Sequence, residues 1–370
     1  MAPAAARIVR LAPSTCSARA GALSATQPYA GGIANDQATP GPRAVIALAA
    51  SAGGVEALTS VIGNLPDDTE AAVLVVLHIA PVGPSVLPAI IGRHSRLPAS
   101  HPADGEEMRA GHVYVAPPDH HLMLDDGRMR VVRGPRENGH RPAADPLFRS
   151  VAFSYGSRCA GVVLSGALDD GTAGLAAIKD SGGLTLVQDP EEAAFPGMPL
   201  NAIAYVHPDH VAGVREIAEI LGRFSKEVAT MADEDTTPGA DTGALPAEES
   251  PTEFTCPDCG GSLWMVGDRP MRFRCRVGHS FSVDSLTLGK QDAVESALWA
   301  AIVALEERAD LARRLLRRTG VSHSDRLSKR FVHDIEYAEQ GALTLKRLAA
   351  ELIGPAGHVR EEVGDGDGQS

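Results

Sequence analysis

Between residues 43 and 225, short apolar runs recur between helix-like stretches, and this alternation constrains the fold more than any other feature. Val45 to Ala50, Val73 to Leu77, Val113 to Ala116, Gly161 to Leu164 and Leu184 to Val187 are nearly all apolar. Strands so short and so continuously apolar are buried on both faces, as in a parallel sheet covered by helices. The expected fold is α/β, with a doubly wound, mostly parallel sheet. An antiparallel hairpin is expected to intrude at Tyr114 to Val132, with Asp125-Asp126-Gly127 as its turn.

The flanking sequence divides by composition. Residues 1–42 are rich in Ala, Ser and Pro without a continuous apolar stretch, and read as a disordered arm, not a secretory signal. Residues 226–253 are acidic, with Thr, Pro and Gly, and read as a flexible linker. Residues 254–285 hold a Cys/His cluster. Residues 286–354 read as a helical hairpin, and residues 355–370 as a disordered tail. In the first helix Leu298, Ile302, Leu305, Ala309, Ala312 and Leu316 recur at steps of four and three, and in the second Phe331, Ile335, Ala338, Ala342, Leu345, Ala349 and Leu352 do the same. Gly320 separates them, and Ser322 or Ser324 can cap the second. This seam suits a hairpin packed on itself and also allows a homodimer through the C-terminal helices.

Three apolar runs end in reactive side chains. Ala49-Ala50-Ser51-Ala52-Gly53-Gly54 leaves a strand and enters a helix, placing Ser51 where open α/β sheets bind ligands. Val75-Val76-Leu77-His78 ends a second strand, and Val163-Leu164-Ser165-Gly166-Ala167-Leu168-Asp169-Asp170-Gly171 follows a third. Each has an ordinary reading alone: Ser51 or Asp170 as a helix cap, His78 as a structural histidine. Together they lie on one edge of a parallel sheet, where nucleophile, base and orienting carboxylate converge. His120, His121, Asp119 and Asp104 suggest a second metal site, but a solvated loop is the better reading.

On these residues the stretch from Arg43 to Phe224 resembles the catalytic domain of the chemotaxis protein-glutamate methylesterases, the CheB type. That family carries a Ser-Thr-Gly-Gly turn, a Gln-His-Met strand end and a Thr-Gly-Met-Gly-Asn-Asp-Gly loop. Here these stand as Ser51-Ala52-Gly53-Gly54, Leu77-His78-Ile79 and Ser165-Gly166-Ala167-Leu168-Asp169-Asp170-Gly171. Gly111 to Pro117, Arg141-Pro142 with Asp145 and Phe148, and Gly197-Met198-Pro199 also match. The resemblance implies a carboxylic ester hydrolase that converts glutamyl 5-O-methyl esters to glutamate and methanol and can also deamidate glutamine. It assigns Ser51 as nucleophile, His78 as base and Asp170 as orienting acid, with N–H groups near Ala52, Gly53 and Ala167 holding the oxyanion. It implies a methylated receptor or signalling protein as substrate, a cognate methyltransferase in the pathway, and no cofactor for catalysis. Ala52 and Ala167 replace the family's threonine and methionine, which bears on substrate fit. Typical members carry an N-terminal receiver, for which residues 1–42 leave no room, so a stand-alone form is expected.

Cys256-x2-Cys259-x15-Cys275-x3-His279 has the spacing of a tetrahedral structural zinc site in a zinc-ribbon-like module. Four protein ligands close such a site, so it is expected to take no part in catalysis. The linker is expected to leave module and hydrolase domain independent. An odd cysteine count with a CxxC pair points to a reducing, cytoplasmic setting. A net charge of −13 excludes the basic footprint of a nucleic-acid binder, and no apolar run approaches the roughly 18 residues of a membrane span. A scaffold that binds a signalling partner through the module and helices is the alternative to the esterase; a nucleotide-binding domain lacks its glycine signature here.

Overall fold

The computed structural model describes residues 41–83, 85–230, 250–268, 270–319 and 326–353. The disordered-arm reading of residues 1–40, the linker core at 231–249, the helix-capping serines 322 and 324, and the tail at 355–370 fall outside them. The chain opens with β1 (Ala44–Ala50), α1 (Gly54–Gly63), β2 (Ala71–Leu77), α2 (Leu87–His94), β3 (Ala99–Ser100) and β4 (Val113–Val115). A hairpin of β5 (His121–Asp125) and β6 (Arg128–Val132) follows, then α3 (Ala144–Tyr155), β7 (Cys159–Val163), α4 (Thr172–Asp180), β8 (Leu184–Gln188), α5 (Gly197–Val206), β9 (His210–Ala212) and α6 (Val214–Thr230).

Seven strands form one sheet in the order β3-β4-β2-β1-β7-β8-β9, and every pairing in it is parallel. The hairpin does not enter it: β5 and β6 form a separate two-stranded sheet turning at Asp126 and Gly127, and Tyr114 belongs to β4. Strand alternation sends Ile46, Leu48, Val73 and Val75 to one face, against Leu58, Ile62, Ile91, Ile217 and Leu221 of α1, α2 and α6. Val45, Ala47, Leu74 and Val76 face the other way, against Leu147, Phe148, Ile178 and Met198 of α3, α4 and α5, with Leu122 and Met129 of the hairpin beside them. Strands covered on both faces read as unbroken apolar runs, which is why they were visible in the sequence.

Helix α6 continues to Thr230 because Ser225 and Val228 extend its buried stripe, so Lys226 to Thr230 are helix, not linker. At the far side, β10 (Ser250–Thr255) begins inside the expected linker and pairs with β11 (Ser262–Asp268); β12 (Met271–Cys275) and β13 (Ser280–Ser282) complete a four-stranded antiparallel sheet. Its small core is Leu263, Phe273 and Phe281 with Leu286 and the half-buried Met265. Helices α7 (Val283–Thr319) and α8 (Arg326–Ile353) run against each other, tied by Arg308–Asp334 and Lys346–Glu306 ion pairs. Ile302, Ala309 and Ala312 of α7 and Ala338, Ala342 and Ala349 of α8 are buried as their spacing requires; Leu352, at the end of α8, is 62% exposed.

The module is not independent of the α/β domain. The Asn138 N–H donates to Ser280 O at 2.8 Å, and the Ser280 N–H returns a bond to Arg136 O. Glu137 binds Arg149 of α3 through both carboxylate oxygens and also Arg272 of β12. Acidic, Pro-containing sequence between two segments does not prevent their docking, because docking depends on surfaces that the linker composition does not report.

Candidate active site and Cys/His cluster

Strand β1 lies between β2 and β7, and the carboxyl ends of all three fall together because the strands are parallel. The register pairs Ala50 with Leu77 and Ala49 with Val163. Ser51 and His78 therefore leave adjacent strands at the same level, and the loop after β7 carries Asp170 to the same edge. The chain diverges in opposite directions from β1, so this edge is also the crevice that doubly wound sheets use for ligands.

His78 Nε2 donates to Asp170 Oδ2 at 2.7 Å, and both side chains are buried. Asp170 is 1% exposed and accepts three further bonds, from Ala144 N (2.6 Å), Asn138 Nδ2 (2.9 Å) and Asp145 N (3.4 Å). Burial alone would raise its pKa; the hydrogen bond and charge of His78, then the Ala144 and Asn138 donors, outweigh it and hold the carboxyl well below the usual carboxylate range. With the proton on Nε2, the other imidazole nitrogen, Nδ1, carries the lone pair. Nδ1 is buried and has no hydrogen-bond partner among the described residues, so Ser51 Oγ does not bond to it in this structure. Catalytic contacts of this kind tighten when substrate fills the site.

Ser51 sits on a turn that passes through Gly53, whose φ of 68° is left-handed and open to glycine at little cost, before α1 begins. Its N–H donates to Ser165 O. Gly166 presses against it from the β7–α4 loop: a Cβ there would lie 2.9 Å from Ser51 Cβ and 2.1 Å from Met198 Sδ. Ala167 follows and is exposed, and Leu168 takes φ 63°, with Asn201 Nδ2 donating to its carbonyl. Thus Ala52 and Gly53 stand at the N-terminus of α1, and Ala167 adjoins Gly166 on the loop that touches Ser51.

Several residues at this site were not singled out for it from sequence. His140 stacks on His78, and Asn138 bridges Asp170 to Asp145, which is 2% exposed and also accepts from Gly174 N. Burial, then the negative Asp170, pushes the Asp145 carboxyl up. These residues lie on or beside the 133–143 loop, whose only signal was Arg141-Pro142 with Asp145. The His120/His121 region holds no metal-like cluster among the described residues: Asp119 pairs with Arg141 and Arg133, and Asp104 with Arg130. His121 is buried, not solvated, with Nε2 donating to Pro135 O.

In the C-terminal sheet, the ligand atoms of Cys256, Cys259, Cys275 and His279 all lie within 4.8 Å of one another. Cys256 Sγ and Cys275 Sγ are 3.7 and 3.5 Å from His279 Nδ1, and Cys259 Sγ is 3.7 Å from Cys275 Sγ. A tetrahedron with metal–sulfur bonds of about 2.3 Å and metal–nitrogen bonds of about 2.0 Å has edges of roughly 3.5–3.8 Å, so the donor set fits a zinc ion. His279 Nε2 lies 3.8 Å from Asp258 Oδ2, beyond hydrogen-bond distance.

The stretch that carries this site is similar in sequence to known proteins. The CheB methylesterase family model matches residues 46–221. A protein-glutamate methylesterase/protein-glutamine glutaminase of Anaeromyxobacter dehalogenans is 40% identical over 182 residues, 49% of this chain and 53% of that protein. The chain thus spans about half the length of that relative. A Leptospira interrogans protein, provisionally given the same name, is 34% identical over 182 residues, 94% of its length. The crystal structure of the Thermotoga maritima CheB methylesterase catalytic domain is 32% identical and covers 49% of this chain and 97% of its own, with a TM-score of 0.47. With nearly the full length of one relative matched at 34% identity, the chain belongs to the CheB methylesterase family.

Proposed function

We propose that the protein is a protein-glutamate methylesterase in which Ser51, His78 and Asp170 form the catalytic triad. The observation that carries this reading is the buried His78–Asp170 hydrogen bond beside the Ser51 turn, on three adjacent strand ends. Ser51 Oγ attacks the carbonyl carbon of a glutamyl methyl ester while its proton passes to His78 Nδ1. Asp170, charged and fully bonded, fixes the Nε2–H tautomer and stabilises the imidazolium. N–H groups of Ala52, Gly53 and Ala167 receive the oxyanion. The C–O bond to methoxide breaks, His78 returns the proton, and methanol leaves an acyl ester on Ser51. Water, deprotonated by His78, attacks that ester and releases glutamate and free Ser51. The same steps on glutamine release ammonia.

The substrate on this reading is a methylated receptor or signalling protein, with a cognate methyltransferase opposing the reaction, in the cytoplasm. Among the described residues no helix is long and apolar enough to cross a membrane. Cys256, Cys259, Cys275 and His279 would hold a structural zinc ion, which when bound ties the strands of the small sheet together and supplies no reaction chemistry. The helical hairpin of α7 and α8 offers exposed Val294, Trp299 and Val303 to a second copy. Methanol release from a glutamyl-methyl-ester peptide, present in the native protein and absent from Ser51→Ala, is the test.

A further inference from the structure

The residues that hold Asp170 are themselves held from the C-terminal part of the chain. Asn138 donates through Nδ2 to Asp170 Oδ1 at 2.9 Å and to Asp145 Oδ2 at 3.1 Å. Its side-chain oxygen accepts from Ser282 N at 2.9 Å and from Ser285 Oγ at 3.2 Å. Its backbone N–H donates to Ser280 O. Every polar atom of a buried amide is therefore assigned: the nitrogen to two carboxylates of the hydrolase domain, the oxygen and the N–H to the module. Ser282 Oγ reaches further and donates to Asp169, the neighbour of Asp170, at 2.7 Å. An amide flip would set its oxygen against two carboxylates and its nitrogen against an N–H, so the module fixes which way Asn138 points.

We propose that Asn138 is a positioning residue for the Asp170–His78 pair and that Ser282 and Ser285 of the C-terminal module set its orientation. The module is then a working part of the esterase centre, more than 100 residues away in sequence. This rests on the triad reading above. Without Asn138 the Asp170 carboxylate loses a donor at Oδ1 and becomes more basic, while the ring it orients gains freedom. Nucleophile activation falls, and the imidazole binds its proton more tightly.

The test uses the full-length chain and the rate at which a fluorophosphonate labels Ser51, which needs no knowledge of the natural substrate. Asn138→Ala is expected to slow labelling about ten- to a hundredfold, the usual effect of losing a hydrogen bond to a buried charge. The acid limb of its pH profile should move to higher pH. The double variant Ser282→Ala/Ser285→Ala substitutes no residue of the α/β domain. It removes the Ser285 bond to Asn138 and the Ser282 bond to Asp169, and keeps the Ser282 N–H bond to Asn138. It should shift both quantities in the same direction by less, and it carries the test if Asn138→Ala does not fold. Lys290→Ala, a change on α7 at a half-buried side chain that donates to Thr255 of β10, should label like the native protein. Native rate and native pH profile in folded Asn138→Ala, or in the double serine variant, would overturn the inference while leaving the triad intact. Failure of the native protein to label at Ser51 would instead overturn the triad and the inference with it.

Discussion

The imidazole rings of His140 and His78 stack with centroids 3.7 Å apart and planes 11° from parallel. Burial, then the neighbouring His78, pushes His140 down to about 4, so the outer ring is neutral wherever the enzyme would work. A neutral ring can lie flat against His78 as it becomes cationic, fixing its plane and keeping water away. His140→Ala should lower kcat/KM two- to tenfold, since such ring pairs are worth about 0.5–1.5 kcal/mol, and His140→Phe should retain most of the activity. Equal losses in both variants, measured by methanol release at unchanged Tm, would show that the stack is not what matters.

Asp170→Asn should be worse than a simple loss of charge. The Asp170 oxygens accept from His78, Ala144, Asn138 and Asp145, so an amide nitrogen must face a donor on either side. A fall of about a thousandfold or more is expected from the wrong tautomer alone, with some loss of Tm. Near-native turnover in Asp170→Asn would remove the carboxylate from the mechanism.

Gly166→Ala tests the approach of the β7–α4 loop to the nucleophile. Met198 can move its sulfur away from a new methyl group; Ser51 Cβ, 2.9 Å from it, is fixed by the end of β1. The variant should fold, with Tm lowered by several degrees, and lose most of its Ser51 labelling. Full labelling would mean that the loop yields and the contact is incidental.

Asp169 and His140 give stability two opposing pH dependences. Burial raises Asp169 from 3.8 to about 7, against the hydrogen bond from Ser282, so its contribution is complete below about pH 4 and is lost as pH rises to about 7. His140, lowered from 6.5 to about 4, contributes above 6.5 and loses that contribution as pH falls. The two partly cancel between pH 4 and 6.5. Asp169→Asn should unmask a Tm that rises with pH across that interval. A Tm profile parallel to the native one would contradict the assignment for Asp169.

Removal of the metal should be felt at both ends of the connection. Stripping a structural zinc site forfeits roughly 10 kcal/mol or more of folding free energy, which the core of Leu263, Phe273 and Phe281 is too small to replace. A chelator with reductant should change Trp264 fluorescence and slow fluorophosphonate labelling together. Altered fluorescence with full labelling would show that Ser282 and Ser285 keep their places without the ion. Metal-free protein with unaltered Trp264 would rule out the site.

The parts legible in sequence were those written locally. A strand buried on both faces is an apolar run, and Ser51 and His78 each follow one directly. Asn138 and His140 were hidden because Asn138-Gly139 reads as an ordinary turn and no periodicity links it to Asp170. Arg272 looks like an exposed strand residue until Glu137 is brought to it from 135 positions away. The parallel edge could be inferred from pattern; the docking of the small sheet could not, because it depends on two surfaces meeting.

The backbone pairing of Ser280 with Arg136 and Asn138 also has a genetic consequence. Recombination or truncation within residues 231–249 divides the polypeptide where its composition invites division, but gives the hydrolase half a loop whose Asn138 N–H and amide oxygen have lost their acceptor and donors. Lineages that keep the small sheet are thus expected to inherit it together with the hydrolase as one heritable unit, and substitutions at Asn138, Ser282 and Ser285 to be selected in concert.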